Sequence, residues 1–146
     1  MKEVVVLLDQ TDIRILEELI NNGRITMKEL GKKVHLTGQA AASRVIKLEE
    51  YGVIEGYTIK LNQVKAGYAI HAFINIYTKS MDHNPFLTFL EKQRQFIMNN
   101  YKISGDGCYL LECRFPSNNE LDVFLTQLNQ YVNYKLTIVI KKSNEA

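Results

Sequence analysis

TMKELGKKVHLTGQAAASRVIKLEEY, residues Thr26–Tyr51, decides how this chain folds. Met27, Leu30 and Val34 recur at helical spacing, and Gly31 leaves room for close approach of a second helix. Leu36-Thr37 reads as a turn. The Thr37 hydroxyl suits an N-cap, because it can accept one of the unpaired N–H groups at a helix start. Beyond it Ala41, Val45 and Leu48 form one apolar stripe, while Gln39, Ser43, Arg44 and Lys47 occupy the other side. Two short helices at a steep angle, the second polar and basic on its outer face, describe a helix-turn-helix. Its second helix fits a DNA major groove.

Helix pairs of this kind are often packing units only, and the placement of charge argues for more. Between Arg24 and Lys47 stand six basic residues (Arg24, Lys28, Lys32, Lys33, Arg44, Lys47) against one acid, Glu29. The first 62 residues together hold nine of each sign, so positive charge is concentrated on the motif. Such a patch binds a duplex by releasing counterions from its phosphates. The net charge of +2 over 146 residues makes any nucleic-acid function local.

Upstream, Asp9 is placed to cap a first helix running to about Asn22. Its expected buried stripe is Ile13, Leu16, Leu19 and Ile20, with Asp12, Arg14, Glu17 and Glu18 in water. Asn22-Gly23 is expected to end it through a left-handed glycine. Gly52 closes the third helix. Val53–Leu61 then reads as a connector containing a strand, either a wing beside the DNA or a lead away from it, with Lys60 as a candidate phosphate contact. These elements make a three-helix (winged) helix-turn-helix domain over residues 1–61.

From residue 62 the order becomes strand, helix, strand, strand, helix, strand. Ala69–Thr78 alternates Ile70, Ala72, Ile74 and Ile76 with His71, Phe73, Asn75 and Tyr77. Asn84-Pro85 opens a helix with Phe86, Phe89 and Leu90 inward. Phe96–Ser104 and Cys108–Phe115 are joined by the tight turn Gly105-Asp106-Gly107. Ser117-Asn118-Asn119-Glu120 is a capping-box signature that opens a helix burying Leu121, Phe124, Leu125 and Leu128. Leu136–Lys141 is the last strand. The class is α+β, and residues 62–146 form a ferredoxin-like βαββαβ sandwich. Helices cover one sheet face; apolar residues on both sides of Ala69–Thr78 and Leu136–Ile140 call for a homodimer over the other.

Composition excludes several classes. No apolar run approaches the ~20 residues that cross a bilayer. Val4–Leu8 is too short, and lacks a cleavage site before Asp9, for a signal peptide; a cytoplasmic location is expected. Cys108 and Cys113 are five apart, an odd spacing that sends them to opposite faces of one strand. His35, His71 and His83 are scattered, and His71 reads as a satisfied core histidine. No metal site, cofactor or enzymatic constellation is expected.

The run Leu8-Asp9-Gln10-Thr11-Asp12…Ile15-Leu16, then Asn22-Gly23-Arg24-Ile25, Glu29-Leu30, Leu36-Thr37, Arg44-Val45…Leu48-Glu49 and Gly52-Val53-Ile54…Gly56-Tyr57 closely resembles the Lrp/AsnC family. These are leucine- and asparagine-responsive transcription regulators of bacteria and archaea. The resemblance covers almost the whole chain, with the second half similar to the family's effector-sensing RAM domain. It implies a DNA-binding homodimer that assembles further, often to octamers, and responds to a small amino acid bound between dimers. The matching effector turn is Ser104-Gly105-Asp106-Gly107-Cys108, with Thr137 on the last strand nearby. Backbone N–H groups there suit a carboxylate, and Asp106 is a candidate acceptor for the ammonium. Many members carry an acid where this chain has Cys108, and a larger branched residue where it has Ala41.

The expected contacts to double-stranded, pseudo-palindromic DNA are Thr37, Gly38, Gln39, Ala40, Ser43, Arg44 and Lys47, with Lys28, Lys32 and Lys33 on the backbone. Gln39 matches an adenine edge. Arg44 has a rival role in a salt bridge within the domain. Two other classes compete: an architectural DNA-wrapping protein without an effector, and a tetrapyrrole decarboxylase-like enzyme, as a few relatives of the family are.

Overall fold

In the computed structural model, which describes residues 3–144, the first helix starts where the sequence places a cap. α1 spans Gln10–Asn21, and Asp9 and Asp12 form a reciprocal capping box. Asp12 N–H donates to Asp9 Oδ1 at 2.8 Å and Asp9 N–H to Asp12 Oδ2 at 3.2 Å. The buried stripe differs from expectation. Ile15 is fully buried, with Leu16 and Leu19 half-buried beside it, while Ile13 faces water and Ile20 is 72% exposed. At 100° per residue, Ile13 and Ile20 lie roughly 140–160° round the helix from Ile15. Four apolar residues spaced three and four apart concealed that centre. Nor is Asp12 free in water, since it is paired with Arg44. α1 ends at Asn22 in an extended conformation rather than through a left-handed Gly23. The Asn22 side chain accepts the Arg24 N–H at 3.1 Å and turns the chain itself.

α2 spans Met27–Val34, opened by a Thr26–Glu29 capping box. It stops at His35, which takes the left-handed conformation at φ 61°. Leu36 N–H then returns to the Gly31 carbonyl at 2.8 Å. A Cβ on Gly31 would stand 2.6 Å from the Leu36 carbonyl oxygen, so the chain can pass only over a glycine. α3 spans Gly38–Glu50; Thr37 caps it by accepting the Ala40 N–H at 3.1 Å. Its buried residues are Ala41, Val45 and Leu48, and they close a core with Ile15, Ile25, Leu30 and Val34. Gly52, at φ 74°, ends the helix.

Val53 and Ile54 pack on this core, but residues 53–61 form no strand. A strand needs a neighbour for its N–H and C=O groups, and no other strand lies among the described residues of this unit. Tyr57 is instead tied back by its hydroxyl, which donates to Glu49 at 3.1 Å.

The chain divides into two compact units, Met1–Lys60 and Leu61–Ala146. In the second, β1 (Ile70–Thr78), α4 (Asn84–Lys92), β2 (Ile97–Gly105), β3 (Gly107–Phe115), α5 (Asn118–Leu128) and β4 (Val132–Ile138) follow in βαββαβ order. The sheet order is β2-β3-β1-β4, with every pair antiparallel. Ala72, Ile74, Ile76, Leu111, Cys113 and Phe115 face the helices. There they meet Phe86, Phe89, Leu90, Leu121, Phe124 and Leu128. Ser117 caps α5 through the Asn119 N–H, and its hydroxyl donates to the Glu120 carboxylate. β4 begins four residues before the expected Leu136 and ends at Ile138; Ile140 is 96% exposed. Its alternation of buried Val132 and half-buried Tyr134 and Leu136 with polar Asn133 and Lys135 is a period of two that started earlier than the apolar run suggested.

The register places His71, Phe73, Asn75 and Tyr77 of β1 on the other face, beside Leu110, Glu112 and Arg114 of β3 and Lys135 and Thr137 of β4. His71 is therefore not a core histidine. Its Nε2 meets Glu112 at 2.7 Å on the face away from the helices.

Candidate nucleic-acid interface and effector turn

Packing Ala41, Val45 and Leu48 inward turns Gln39, Ser43 and Lys47 outward, all three exposed on α3. They stand at i, i+4 and i+8, one row along the helix. Ile46, 53% exposed, borders that row at i+3 from Ser43. The sequence reading missed it, although its offset from the Ala41–Val45–Leu48 stripe put it outside. Thr37 caps the helix, Gly38 and Ala40 are half-buried, and a Cβ on Gly38 would lie 3.2 Å from the Lys28 α-carbon. These three shape the helix start rather than present reading side chains. Lys28, Lys32 and Lys33 are exposed on α2; Lys33 meets Glu18 at 3.7 Å.

Arg44 departs from the outward set. Its Nη1 donates to Asp9 Oδ2 at 2.5 Å and to Asp12 Oδ1 at 3.2 Å. Both carboxylates of the α1 capping box thus hold one guanidinium on α3. The bond from Arg44 keeps the Asp9 carboxyl below its ordinary range, and the two acids raise Arg44 in turn. Of the two roles weighed for Arg44, the geometry realises the salt bridge.

Ser104–Cys108 are the hairpin tip, running from the end of β2 through Asp106 into the start of β3. Gly105 and Gly107 have φ of 148° and 103°. A Cβ on Gly107 would stand 2.6 Å from the Ile76 carbonyl oxygen, so that position admits only glycine. Asp106 is already partly engaged. Its carbonyl accepts from Asn75 Nδ2 at 2.9 Å, its carboxylate from the Tyr77 hydroxyl, and Lys135 Nζ lies 3.6 Å from its Oδ2. The bond to Asp106 raises the Tyr77 phenol. Thr137 is exposed opposite Phe73, two residues and roughly 7 Å along β4 from Lys135. It shares the sheet face with the turn without lying at it. Asn75, Tyr77 and Lys135 were not among the expected site residues. Alternation put the first two on this face, but only the order β3-β1-β4 ties all three to Asp106.

Cys108 is half-buried, its Sγ 3.3 Å from the Thr78 hydroxyl, and that bond draws the thiol below its ordinary value. Cys113 is buried, and burial pushes it up to about 12. On the open sheet face, burial raises the Glu112 carboxyl, but bonds from Asn99 at 2.9 Å and His71 outweigh it and leave it lowered. Arg114 Nε is buried there without a hydrogen-bond partner among the described residues. Among the described residues no three His, Cys, Asp or Glu side chains come together to hold a metal, and no helix is long and apolar enough to cross a membrane.

The sequence signature of winged helix-turn-helix DNA-binding domains matches residues 8–55, and that of the Lrp/AsnC ligand binding domain matches residues 71–145. The HTH-type transcriptional regulator LrpA of Bacillus subtilis (strain 168) is 57% identical over 136 residues, 93% of this chain and 100% of that protein. Among solved structures, B. subtilis LrpC superposes with a TM-score of 0.88 at 28% identity, covering 97% of this chain and 100% of LrpC. The regulator NMB0573 of Neisseria meningitidis, solved in complex with L-methionine, superposes with a TM-score of 0.85 at 27% identity, covering 95% and 94%.

Proposed function

This chain belongs to the Lrp/AsnC family of DNA-binding transcriptional regulators, and on that premise we propose how its two units divide the work. Residues 1–61 read double-stranded DNA, and residues 62–146 sense a small amino acid and join copies of the chain. The exposed row Gln39–Ser43–Lys47 carries the first part of this reading. That row lies along a capped helix whose inner side is packed on the core and whose Arg44 is pinned to α1. In a major groove Gln39 pairs with an adenine edge, Ser43 with either edge, and Ile46 covers a thymine methyl. Lys47, Lys28, Lys32 and Lys33 meet phosphates, which position the helix without reading sequence.

A second copy of the chain covers the open sheet face. Phe73 and Leu110 are half-buried there and Tyr101 is exposed; the unpartnered Arg114 Nε awaits an acceptor. The two-fold dimer carries two copies of α3 to a pseudo-palindromic site, and dimers assemble further, to an octamer. The effector lies between dimers at Ser104–Cys108, with Thr137 on its flank. The protein acts where the chromosome is accessible, in the cytoplasm.

Operator and random duplexes separate the two kinds of contact. Gln39→Ala weakens operator binding by about 1–3 kcal/mol and leaves random DNA unchanged. Lys32→Ala weakens both alike. Equal losses on both duplexes for both variants would overturn the assignment.

A further inference from the structure

We propose that His35, in the turn between α2 and α3, is a further contact to DNA phosphates, formed when its imidazole is protonated, so that binding tightens as pH falls. This rests on the placement of α3 in a major groove. Among the described residues His35 is the one non-glycine residue with a positive φ, at 61°. A Cβ is crowded by the backbone in that left-handed region, a cost that glycine escapes and histidine does not. The backbone of His35 has a task there, since its N–H returns to the Gly31 carbonyl and ends α2. The side chain has none inside the unit: the imidazole is exposed and makes no hydrogen bond or ion pair among the described residues. Backbone strain of this kind collects at binding sites.

In a docked helix-turn-helix the first helix crosses the phosphate backbone, and the start of the second meets base edges. A turn that joins the end of one to the start of the other runs beside that backbone. The charges around His35 suit a phosphate. Lys32 and Lys33 precede it on α2, both exposed. From α1, Arg14 Nη2 donates to the Lys33 carbonyl at 2.7 Å, and the Glu18 carboxylate is engaged by the Lys33 ammonium at 3.7 Å. Glu29 is committed to the Thr26 cap at the far end of α2. α3 opens with Thr37, Gly38 and Gln39, all uncharged. A histidine changes charge between pH 5 and 8, and a phosphate beside an imidazole favours the charged form. Binding therefore takes up a proton and weakens as pH rises.

Binding of a random duplex by the full chain at pH 6 and pH 8, each at several salt concentrations, tests this, because a phosphate contact acts on any sequence. His35→Gly and His35→Asn are measured alongside; both replacements tolerate the left-handed backbone, and melting temperatures no lower than that of the natural chain are expected. The natural chain should bind about tenfold tighter at pH 6, roughly threefold for each copy in a dimer. Its salt dependence should steepen there by up to about 1.8 in log K against log salt. Both variants should lose most of these differences. His71 and His83 lie in the second unit and are the same in every protein compared, so the difference belongs to His35. A pH dependence that persists in both variants, or that is absent from the natural chain, overturns the inference; if Lys32→Ala still weakens binding at both pH values, the docking stands without it. If neither Lys32→Ala nor the His35 variants change binding, the docking itself falls and the inference with it.

Discussion

Arg44 stands on the helix assigned to DNA, yet its charge is directed inward to Asp9 and Asp12. That pairing suits it to fix the angle of α3 against α1 rather than to touch a phosphate. Arg44→Ala is therefore expected to weaken operator binding while leaving the salt dependence of binding unchanged. Lys47→Ala removes one phosphate contact from each protomer and should flatten that dependence by about 1.8 in log K against log salt for the dimer. Titrating both variants at several salt concentrations distinguishes the roles; a flattened slope for Arg44→Ala would make it a phosphate contact. The pairing also has a pH signature. A carboxyl held down by a cation stabilises the fold above its unfolded pKa, and that contribution is lost as pH falls through the lowered folded value. Arg44→Ala should move the Asp9 titration, followed by carboxyl NMR, back up toward 3.8. Gln39 and Ser43 were legible as outward residues from their own helix. The fate of Arg44 was not, because its partners lie 32 and 35 residues earlier and only the packing of α1 on α3 brings them near.

At the scale of the element, the turn between α2 and α3 depends on the absence of one methyl group. Gly31→Ala places a Cβ 2.6 Å from the Leu36 carbonyl and should cost about 1–3 kcal/mol in thermal or urea unfolding. Gly56→Ala, with nothing within 4 Å of the added carbon, should stay within about 0.5 kcal/mol. Equal effects would mean that the turn yields. β3 offers a chemical check of its burial pattern: at pH 8 iodoacetamide should add once, at Cys108, while Cys113, pushed up to about 12 by burial, stays unmodified by mass spectrometry. Adducts on both would contradict the packing of β3 on the helices. Helix caps and strand alternation were legible because they are local, as Thr37, Ser117 and β1 illustrate. Residues 53–61 were misread because an extended apolar run says nothing about whether a neighbouring strand exists. The centre of α1 was misread because Ile13, Ile15 and Ile20 are equally apolar, and only the partner helices select Ile15.

For the whole molecule, the two-unit order and the βαββαβ topology were readable from the change of period after residue 61. The use of the open sheet face was readable only as a need, since Phe73 and Leu110 identify a surface but not its cover. If a second copy covers it, Leu110→Lys should shift sedimentation toward monomer and weaken operator binding by separating the two reading helices, with circular dichroism unchanged. A dimer that persists would move the interface elsewhere. Everything else depends on α3 entering the major groove by its Gln39–Ser43–Lys47 row. Selection of binding sites from a random duplex library, run in parallel with the natural chain and Gln39→Arg, tests that most directly. The natural chain should enrich a two-fold-symmetric sequence, and Gln39→Arg should change one symmetry-related base pair from adenine to guanine and leave the rest. An identical sequence from both proteins, or no enriched sequence from the natural chain, would contradict it.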